Sequence, residues 1–255
     1  MTALITGASK GIGKELVVEF AKNNIDVILV ARSQNLLYDL ARFVEDQYGV
    51  NAYVYDFDLS EQNSAEELYR AVNKKKLTVN YLVNNAGFGD CGEFADSDFK
   101  KQSDMINLNV LTLTNLTHLF VQDMKKRKQG KILNLASVAS FKPGPTMSVY
   151  FATKNYVLSF SEAIYEELKP YNIQVTALCP GPTESEFGKV AGFKMLDGSK
   201  KNSFPSSKEV AHFGFKKMMK GKDIAIHGFV NTALTTLTRF APRSIVRKIV
   251  RYRIK

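Results

Sequence analysis

The sequence predicts an α/β fold in which a doubly wound parallel sheet forms a single domain. Short apolar runs rich in β-branched residues alternate with longer amphipathic segments along nearly the whole chain, which is the pattern of βαβ units. The chain has 255 residues, 45% of them hydrophobic, and can bury one large core. Its two cysteines, Cys91 and Cys179, and the lack of a leader-like start favour a reduced, cytoplasmic protein.

Seven short segments are predicted to be strands because they are apolar and β-branched. In chain order they are Thr2–Thr6, Ile25–Val30, Ala52–Tyr55, Val79–Val83, Lys131–Leu135, Ile173–Leu178 and Ile224–His227. Helical periodicity predicts helices at Gly13–Asn23, Asn35–Tyr48, Ser64–Asn73, Asp104–Arg127, Val149–Leu168 and Lys208–Lys220. The irregular stretch from about 180 to 205 is expected to be a helical lid within a domain of residues 1–228. Residues 229–255 are predicted to form a basic helical extension.

A glycine-rich turn joins the first strand to the first helix. Its residues are Gly7, Ser9, Lys10, Gly11, Ile12 and Gly13, with Ala8 between them. Such a turn brings backbone N–H groups and the positive end of a helix dipole to a phosphate. It is therefore predicted to bind the pyrophosphate of a dinucleotide, and the alternative is a plain strand-to-helix turn.

The end of the second strand indicates NADP(H) as the dinucleotide. An NAD site usually places an acid there to bind the ribose 2′-hydroxyl, whereas this strand is followed by Ala31-Arg32-Ser33. The guanidinium of Arg32 suits the 2′-phosphate, and Lys10 is expected to reach the same group. The alternative for Arg32 is an exposed loop charge.

A tyrosine and a lysine at helical spacing are candidates for acid–base chemistry. Tyr150 and Lys154 are four residues apart, so both side chains share one helix face and the ammonium stabilises the phenolate. Tyr165 and Lys169 have the same spacing. Ser137 selects the first pair, because it lies thirteen positions before Tyr150 at the end of a predicted strand, where parallel sheets form their ligand crevice.

In these residues the chain resembles the short-chain dehydrogenase/reductase family, whose members of about 250 residues have one Rossmann-like domain. The resemblance runs from Thr6 to at least Ser185. The matching motifs, in order, are Thr6-Gly7-x-x-x-Gly11-x-Gly13, Asp58-Leu59, Asn84-Asn85-Ala86-Gly87, the tetrad Asn107, Ser137, Tyr150 and Lys154, and Pro180-Gly181. It implies hydride transfer between nicotinamide C4 and a carbonyl or alcohol carbon.

The resemblance also implies a role for each motif. Tyr150 would be the general acid in reduction and the base in oxidation, and Ser137 would hold the substrate oxygen. Lys154 would lower the pKa of Tyr150 and bind the nicotinamide ribose, while Asn107 would hold a water that relays protons. The remaining motif residues would contact the cofactor: Asp58, Leu59, Asn85, Ala86, Gly87, Pro180 and Gly181.

Two positions depart from the family pattern. Val110 stands where the family often has a glycine, so helix packing there is expected to differ. Both Thr183 and Ser185 could supply the hydroxyl that follows the Pro180-Gly181 segment, and Thr183 is favoured. No metal site is expected.

The substrate is predicted to be hydrophobic, because apolar side chains recur in the three segments expected to contact it. They are Phe88, Phe94, Phe141, Met147, Phe187, Phe193, Met195 and Phe204. The alternative is that most of them pack the lid onto the sheet. A homo-oligomer, dimer or tetramer, is implied by the family resemblance.

Charge is concentrated at the end of the sequence. The formal net charge is +10, and residues 224–255 contain seven basic and no acidic residues. A basic amphipathic helix beginning near Pro242 suits peripheral contact with an anionic membrane, or packing on its own domain with a solvated basic face. No nucleic-acid motif accompanies the basic residues, so nucleic-acid binding is not expected. A dinucleotide-binding regulator or interaction protein without turnover is the alternative function.

Overall fold

A parallel sheet of seven strands forms the centre of the computed structural model, which describes residues 1–192 and 204–254. Within the described residues the strand order is β3-β2-β1-β4-β5-β6-β7, and every neighbouring pair is parallel. The strands are β1 (Thr2–Thr6), β2 (Asp26–Ala31), β3 (Ala52–Asp56), β4 (Val79–Asn84), β5 (Gly130–Leu135), β6 (Ile173–Cys179) and β7 (Ile224–Ile226). The order reverses between β1 and β4, so a ligand crevice is expected at their carboxyl ends.

Helices cover both faces of the sheet. They are α1 (Gly11–Lys22), α2 (Gln34–Tyr48), α3 (Ser64–Lys74), α4 (Phe99–Ile106), α5 (Leu113–Arg127), α6 (Ser148–Leu168), α7 (Phe187–Val190), α8 (Ser207–Met219), α9 (Phe229–Thr238) and α10 (Arg243–Ile254). The fold class predicted from the sequence is confirmed.

Alternate residues of β1 build the two main cores, because successive side chains of a strand point to opposite faces. Ala3 and Ile5 pack with side chains of α1, α2 and α8. Leu4 packs on the other face with side chains of α3 and α5. Since both faces are covered, β1 is buried along its whole length, which is typical of a parallel sheet.

The prediction of one continuous helix at Asp104–Arg127 is wrong. Helix α4 begins earlier, at Phe99, because Asp98 caps it by accepting a hydrogen bond from the Lys101 N–H. A π-helical segment at Asn107–Thr112 then separates α4 from α5. A π turn inserts an extra residue into a helix and rotates the side chains that follow, and apolar periodicity alone does not show it.

The described part of the expected lid consists of the loop after β6 and the short helix α7. An isolated parallel bridge pairs Glu184 with Ser206, and residues 193–203, including the predicted substrate contacts Phe193 and Met195, lie outside the described residues. The division between residues 1–228 and 229–255 stays a prediction. None of the helices in the described ranges combines the length and apolar character that a membrane span needs.

Candidate functional site

The glycine turn after β1 brings the start of α1 against the strand. Gly7 and Gly11 have φ values of 66° and 55°, a region that side chains rarely adopt. A Cβ on Gly13 would overlap the carbonyl oxygen of Gly7, so the close approach of helix and strand requires a glycine. Lys10, at the N-cap of α1, gives no side-chain cap, and the first turn has no acid. The backbone N–H groups of this turn can therefore hold a phosphate.

The ends of β1 and β4 are tied together by Thr6 and Asn85. The Thr6 hydroxyl accepts hydrogen bonds from the N–H groups of Asn85 (3.0 Å) and Ala86 (2.9 Å). The Asn85 side chain donates to the carbonyl of Thr6 at 2.9 Å. Asn85, Ala86 and Gly87 therefore lie at the reversal of strand order, directly beside the glycine turn.

The two cations expected to bind a 2′-phosphate both have carboxylate partners. Arg32 Nη1 lies 3.4 Å from Asp58 Oδ2, and Lys10 Nζ lies 2.7 Å from Glu186 Oε2. Both pairs are exposed, so each contributes little stability and can exchange for a phosphate. Burial raises the pKa of Asp58, but hydrogen bonds from Ser60 and the charge of Arg32 outweigh it and hold that pKa below its usual range.

Three other residues predicted to contact the cofactor are half-buried or buried. Ser9 is half-buried in the turn, and Ile12 packs on the core below it. Leu59 is buried in the opposite core, and its carbonyl accepts a hydrogen bond from Thr112 at 2.8 Å.

Ser137 and Lys154 approach Tyr150 from different elements. Ser137 follows β5, where its hydroxyl accepts a hydrogen bond from the Ala139 N–H at 3.1 Å. Lys154, one turn after Tyr150 on α6, donates to the carbonyl of Leu135 at 2.6 Å. Its Nζ lies 5.9 Å from the centre of the Tyr150 ring. The carboxyl end of β5 thus holds the serine and the lysine beside the phenol.

Burial changes the acidity of both titratable groups. It raises the pKa of Tyr150 to about 12, and interaction with the Ser137 side chain lowers it by a smaller amount. Burial lowers the pKa of Lys154 to about 8. At neutral pH the phenol keeps its proton and the lysine is mostly charged, so the pair can donate a proton and stabilise the phenolate that results.

The second tyrosine–lysine pair lies away from this cluster. Lys169 Nζ forms an exposed ion pair of 2.7 Å with Glu166 and lies 4.6 Å from the centre of the Tyr165 ring. Tyr165 packs against the core beneath α3 and α5. This pair therefore belongs to the end of α6.

The Asn107 side chain contacts the loop after β3, where it donates to the carbonyl of Ser60, and its role in holding a water beside Tyr150 stays a prediction. Asn109 joins the loop after β4 to α6: its Nδ2 donates to the Phe88 carbonyl (2.9 Å) and the Thr153 hydroxyl (3.1 Å), and its Oδ1 accepts from the Phe88 N–H (3.2 Å). Helical spacing was the available signal, because Asn109 shares a face with buried Leu113 and Asn107 does not.

Thr183 and Ser185 occupy different parts of the loop after β6. The Thr183 hydroxyl is buried and donates to the carbonyl of Gly181 at 2.9 Å. Ser185 lies across from the glycine turn, since its Cβ is 3.6 Å from where a Cβ of Gly11 would stand. The carbonyl of Pro180 accepts a hydrogen bond from the Val138 N–H at 3.0 Å, which ties this loop to the Ser137 segment.

Comparison with known proteins agrees with this geometry. The family model described as short chain dehydrogenase matches residues 1–193. The chain belongs to the short chain dehydrogenase family. A very-long-chain 3-oxoacyl-CoA reductase of Laccaria bicolor is 34% identical over 178 residues, covering 69% of this chain and 53% of that protein. One of Rattus norvegicus is 30% identical over 240 residues, covering 91% and 75%. The chain thus spans about half to three-quarters of the length of these relatives.

A solved structure is similar over nearly the whole molecule. A short-chain dehydrogenase from Sphingobium yanoikuyae in complex with NADPH has a TM-score of 0.83 and 27% sequence identity, with 95% of this chain and 97% of that chain covered. The family match ends before α9 and α10.

Apolar side chains surround Tyr150 in this short chain dehydrogenase. The Phe187 ring centre is 5.2 Å from that of Tyr150, and Met147, Phe151 and Phe88 pack in the same cluster. Of the other expected contacts, Phe94 is exposed, Phe141 packs in a separate cluster and Phe204 is half-buried.

Sequence reasoning missed the contribution of α10 to the Tyr150 cluster. Val246 and Val250 of α10 are buried in it, although they lie almost a hundred residues further along the chain. Their spacing of four residues shows that they share a helix face. Nothing local in the sequence shows where that face docks.

Proposed function

We propose that this dehydrogenase reduces the ketone of a hydrophobic substrate with NADPH, and that Tyr150 donates the proton. One observation carries the proposal: the buried Tyr150 phenol lies beside the Ser137 hydroxyl, and the Lys154 Nζ is 5.9 Å from the centre of its ring. A protonated phenol next to an ammonium can give its proton to a developing alkoxide, because the ammonium stabilises the phenolate that remains.

The chain's own residues fit a dinucleotide phosphate. Gly13 has no Cβ at the point where the start of α1 approaches the Gly7 carbonyl, and the Lys10 side chain does not cap that helix. Its backbone N–H groups would hold the pyrophosphate, and Arg32 with Lys10 would hold the 2′-phosphate. Asp58, Leu59 and the segment 85–87 would contact the adenine side of the site, and the segment 180–183 the nicotinamide. The bound cofactor supplies the hydride that reduces the carbonyl carbon.

Each residue around the carbonyl has a separate task. Ser137 and Tyr150 would donate hydrogen bonds to the substrate oxygen, and these strengthen as negative charge develops there. The Tyr150 proton then moves to that oxygen. The Lys154 ammonium would stabilise the phenolate, since it is held on the Leu135 carbonyl next to the ring.

Asn109 is a positioning residue in this proposal. It holds both backbone groups of Phe88, directly after the cofactor segment, and donates to the Thr153 hydroxyl. Thr153 in turn donates to the carbonyl of Tyr150 at 2.7 Å. Asn109 therefore fixes the loop after β4 relative to the turn of α6 that carries the tyrosine and the lysine.

The apolar side chains around Tyr150 support a hydrophobic substrate, and the names of the relatives make long-chain 3-oxoacyl thioesters the first class to test. Oxidation of NADPH and of NADH would be followed with 3-oxoacyl thioesters of increasing chain length and a small water-soluble ketone as control. We expect NADPH to be preferred and the rate to rise with chain length. Cofactor binding without turnover of any ketone would favour a non-catalytic dinucleotide-binding protein.

A homo-oligomer is the assembly we propose. Phe99, Ile106 and Leu111 are exposed on α4 and the π-helical segment, where charges of both signs, such as Lys100 and Asp104, flank them. A mixed-charge apolar surface can pair with a second copy without strong repulsion. Sedimentation velocity of the protein and of Leu111→Asp would test it, since only the unchanged chain should associate.

A further inference from the structure

Helix α9 has an inverted arrangement of polar and apolar side chains. Thr235 is buried on its inner side, and Thr232, Thr235 and Thr236 help to line a cavity of about 380 Å³ next to β7. The apolar residues point outward, with Phe229 88% and Phe240, just beyond the helix, 82% exposed. A helix normally buries its apolar side, so this one lacks an apolar partner within the described part of the chain.

Helix α10 also carries exposed apolar side chains. Val246 and Val250 face inward, while Ile245, Ile249 and Tyr252 are exposed. We call the exposed apolar side chains of both helices the outer face. Its members are Phe229, Val230, Leu234, Leu237, Phe240, Ile245, Ile249 and Tyr252.

Basic residues flank the outer face, and the segment that carries it has no acidic residue. Residues 224–255 contain no Asp or Glu, and Arg239, Arg243, Arg247 and Lys248 are exposed along the two helices. Among the side chains that the structure describes in this segment, only Arg251 has an acidic partner, with 3.4 Å between its Nη2 and Glu93 Oε1. The surface therefore combines apolar insertion groups with uncompensated cations.

We propose that the outer face binds the surface of an anionic lipid bilayer. Its apolar side chains would enter the headgroup boundary, and the flanking cations would contact lipid phosphates and carboxylates. A second copy of the chain is a poor occupant, because a symmetric contact would bring the same cations against each other. Nucleic acid is also disfavoured, since it offers no apolar phase for the leucine and isoleucine side chains.

Docking through this face would orient the active site. The inner side of α10 packs in the cluster that contains Tyr150 and Met147, and Arg251 reaches Glu93 in the loop after β4. The helix that contacts the bilayer thus also packs in the cluster that contains the tyrosine. The membrane contact itself requires neither cofactor nor turnover.

The test is flotation of the full chain with vesicles of phosphatidylcholine, with and without phosphatidylserine, in the absence of cofactor and substrate. Leu234→Asp is compared with Leu36→Asp, because the two leucines are 41% and 39% exposed on different helices. We expect binding to anionic vesicles, weakened about 10-fold or more by Leu234→Asp and unchanged by Leu36→Asp.

The cations are tested in the same way. Replacing both Arg243 and Lys248 with glutamine should weaken binding about 30-fold. Lys74 and Lys76 are exposed at the end of α3, far in sequence from residues 224–255. Replacing both with glutamine changes the net charge by the same amount and should have little effect on binding. Circular dichroism would establish that every variant is folded.

Three results would overturn the proposal. The first is that the unchanged protein does not float with anionic vesicles. The second is equal binding of Leu234→Asp and Leu36→Asp. The third is that Leu234→Asp splits an oligomer in sedimentation velocity without vesicles, which would make the outer face a contact between copies. Because no activity is measured, failure of the proposed reductase function would leave each outcome interpretable.

Discussion

Lys10 and Glu186 form an ion pair with 2.7 Å between Nζ and Oε2, and it joins the glycine turn to the segment after β6. Both side chains are about half exposed. The Glu186 carboxylate therefore pairs with the Lys10 ammonium, which we expect to bind the 2′-phosphate. The same carboxylate would also repel that phosphate.

Glu186→Gln is expected to strengthen NADPH binding about 2- to 5-fold, which is the range of an exposed ion pair. NADH binding should hardly change, because NADH has no 2′-phosphate. Parallel fluorescence titrations would measure both dissociation constants. An equal change for the two cofactors would show that Lys10 does not meet the 2′-phosphate.

Arg32→Asp is expected to weaken NADPH binding by about 10- to 100-fold, since it removes a charge-assisted hydrogen bond and adds a repelling charge. Arg42→Asp is the control, because Arg42 is an exposed arginine of α2 that pairs with Asp39. An unchanged ratio of NADPH to NADH affinity in Arg32→Asp would reject Arg32 as the selecting residue.

Tyr150→Phe is expected to lower turnover about 10²- to 10⁴-fold, because the phenylalanine cannot donate a proton. NADPH affinity should remain. Tyr165→Phe provides a matched control in the other tyrosine–lysine pair of α6 and should leave turnover intact. Near-normal rates in Tyr150→Phe would move the proton donor elsewhere.

Asn109→Ala is expected to lower kcat and to reduce the free energy of unfolding by about 1–3 kcal/mol, because it leaves the backbone groups of Phe88 unpaired. Asn107→Ala should leave kcat unchanged. Steady-state kinetics over a range of pH would show whether Asn109 also influences the titration of Tyr150 and Lys154. If Asn107→Ala lost more kcat than Asn109→Ala, Asn107 would be the residue that supports proton transfer, as the family resemblance implies.

The low pKa of Lys154 predicts an unusual dependence of stability on pH. Burial lowers this pKa to about 8, so between pH 8 and 10 the unfolded chain binds more protons at this residue than the folded chain. The free energy of unfolding should therefore rise over that window, by up to about 3 kcal/mol from this group. Above pH 10 the raised pKa of Tyr150 acts in the opposite direction and lowers stability.

Urea unfolding at several pH values would measure this dependence, with Lys154→Met as the comparison. Only the difference between the two proteins is informative, because other lysines also titrate. The rise should disappear in Lys154→Met. Parallel curves for the two proteins would mean that Lys154 is not buried as a perturbed ammonium.

Local patterns in the sequence predict most of this fold and part of its site. Each predicted strand lies within one residue of the observed bounds, because short β-branched runs between helices leave few alternatives. The glycine turn was also readable, since Gly13 is required by a close approach of neighbouring elements. These features depend on residues near each other in the chain.

The features that were missed depend on contacts between distant segments. Asn109 bonds to Phe88 and Thr153, which are 21 and 44 residues away in the chain, although its spacing from Leu113 was a local sign that its side chain is buried. Glu186 meets Lys10, and Val246 meets the Tyr150 cluster, across more than ninety residues of sequence. No periodicity or motif reports such a meeting.

The outward and inward residues of α10 are immediate neighbours in sequence. Ile245 is exposed and Val246 buried, and the same holds for Ile249 and Val250. One residue turns a helix by about 100°, so a single residue inserted inside α10 would turn the exposed and the buried residues that follow it away from their present directions. The register of α10 is therefore under a stricter constraint than the length of the loop before it. Homologous chains that share this helix should vary within it by substitution far more readily than by gaps.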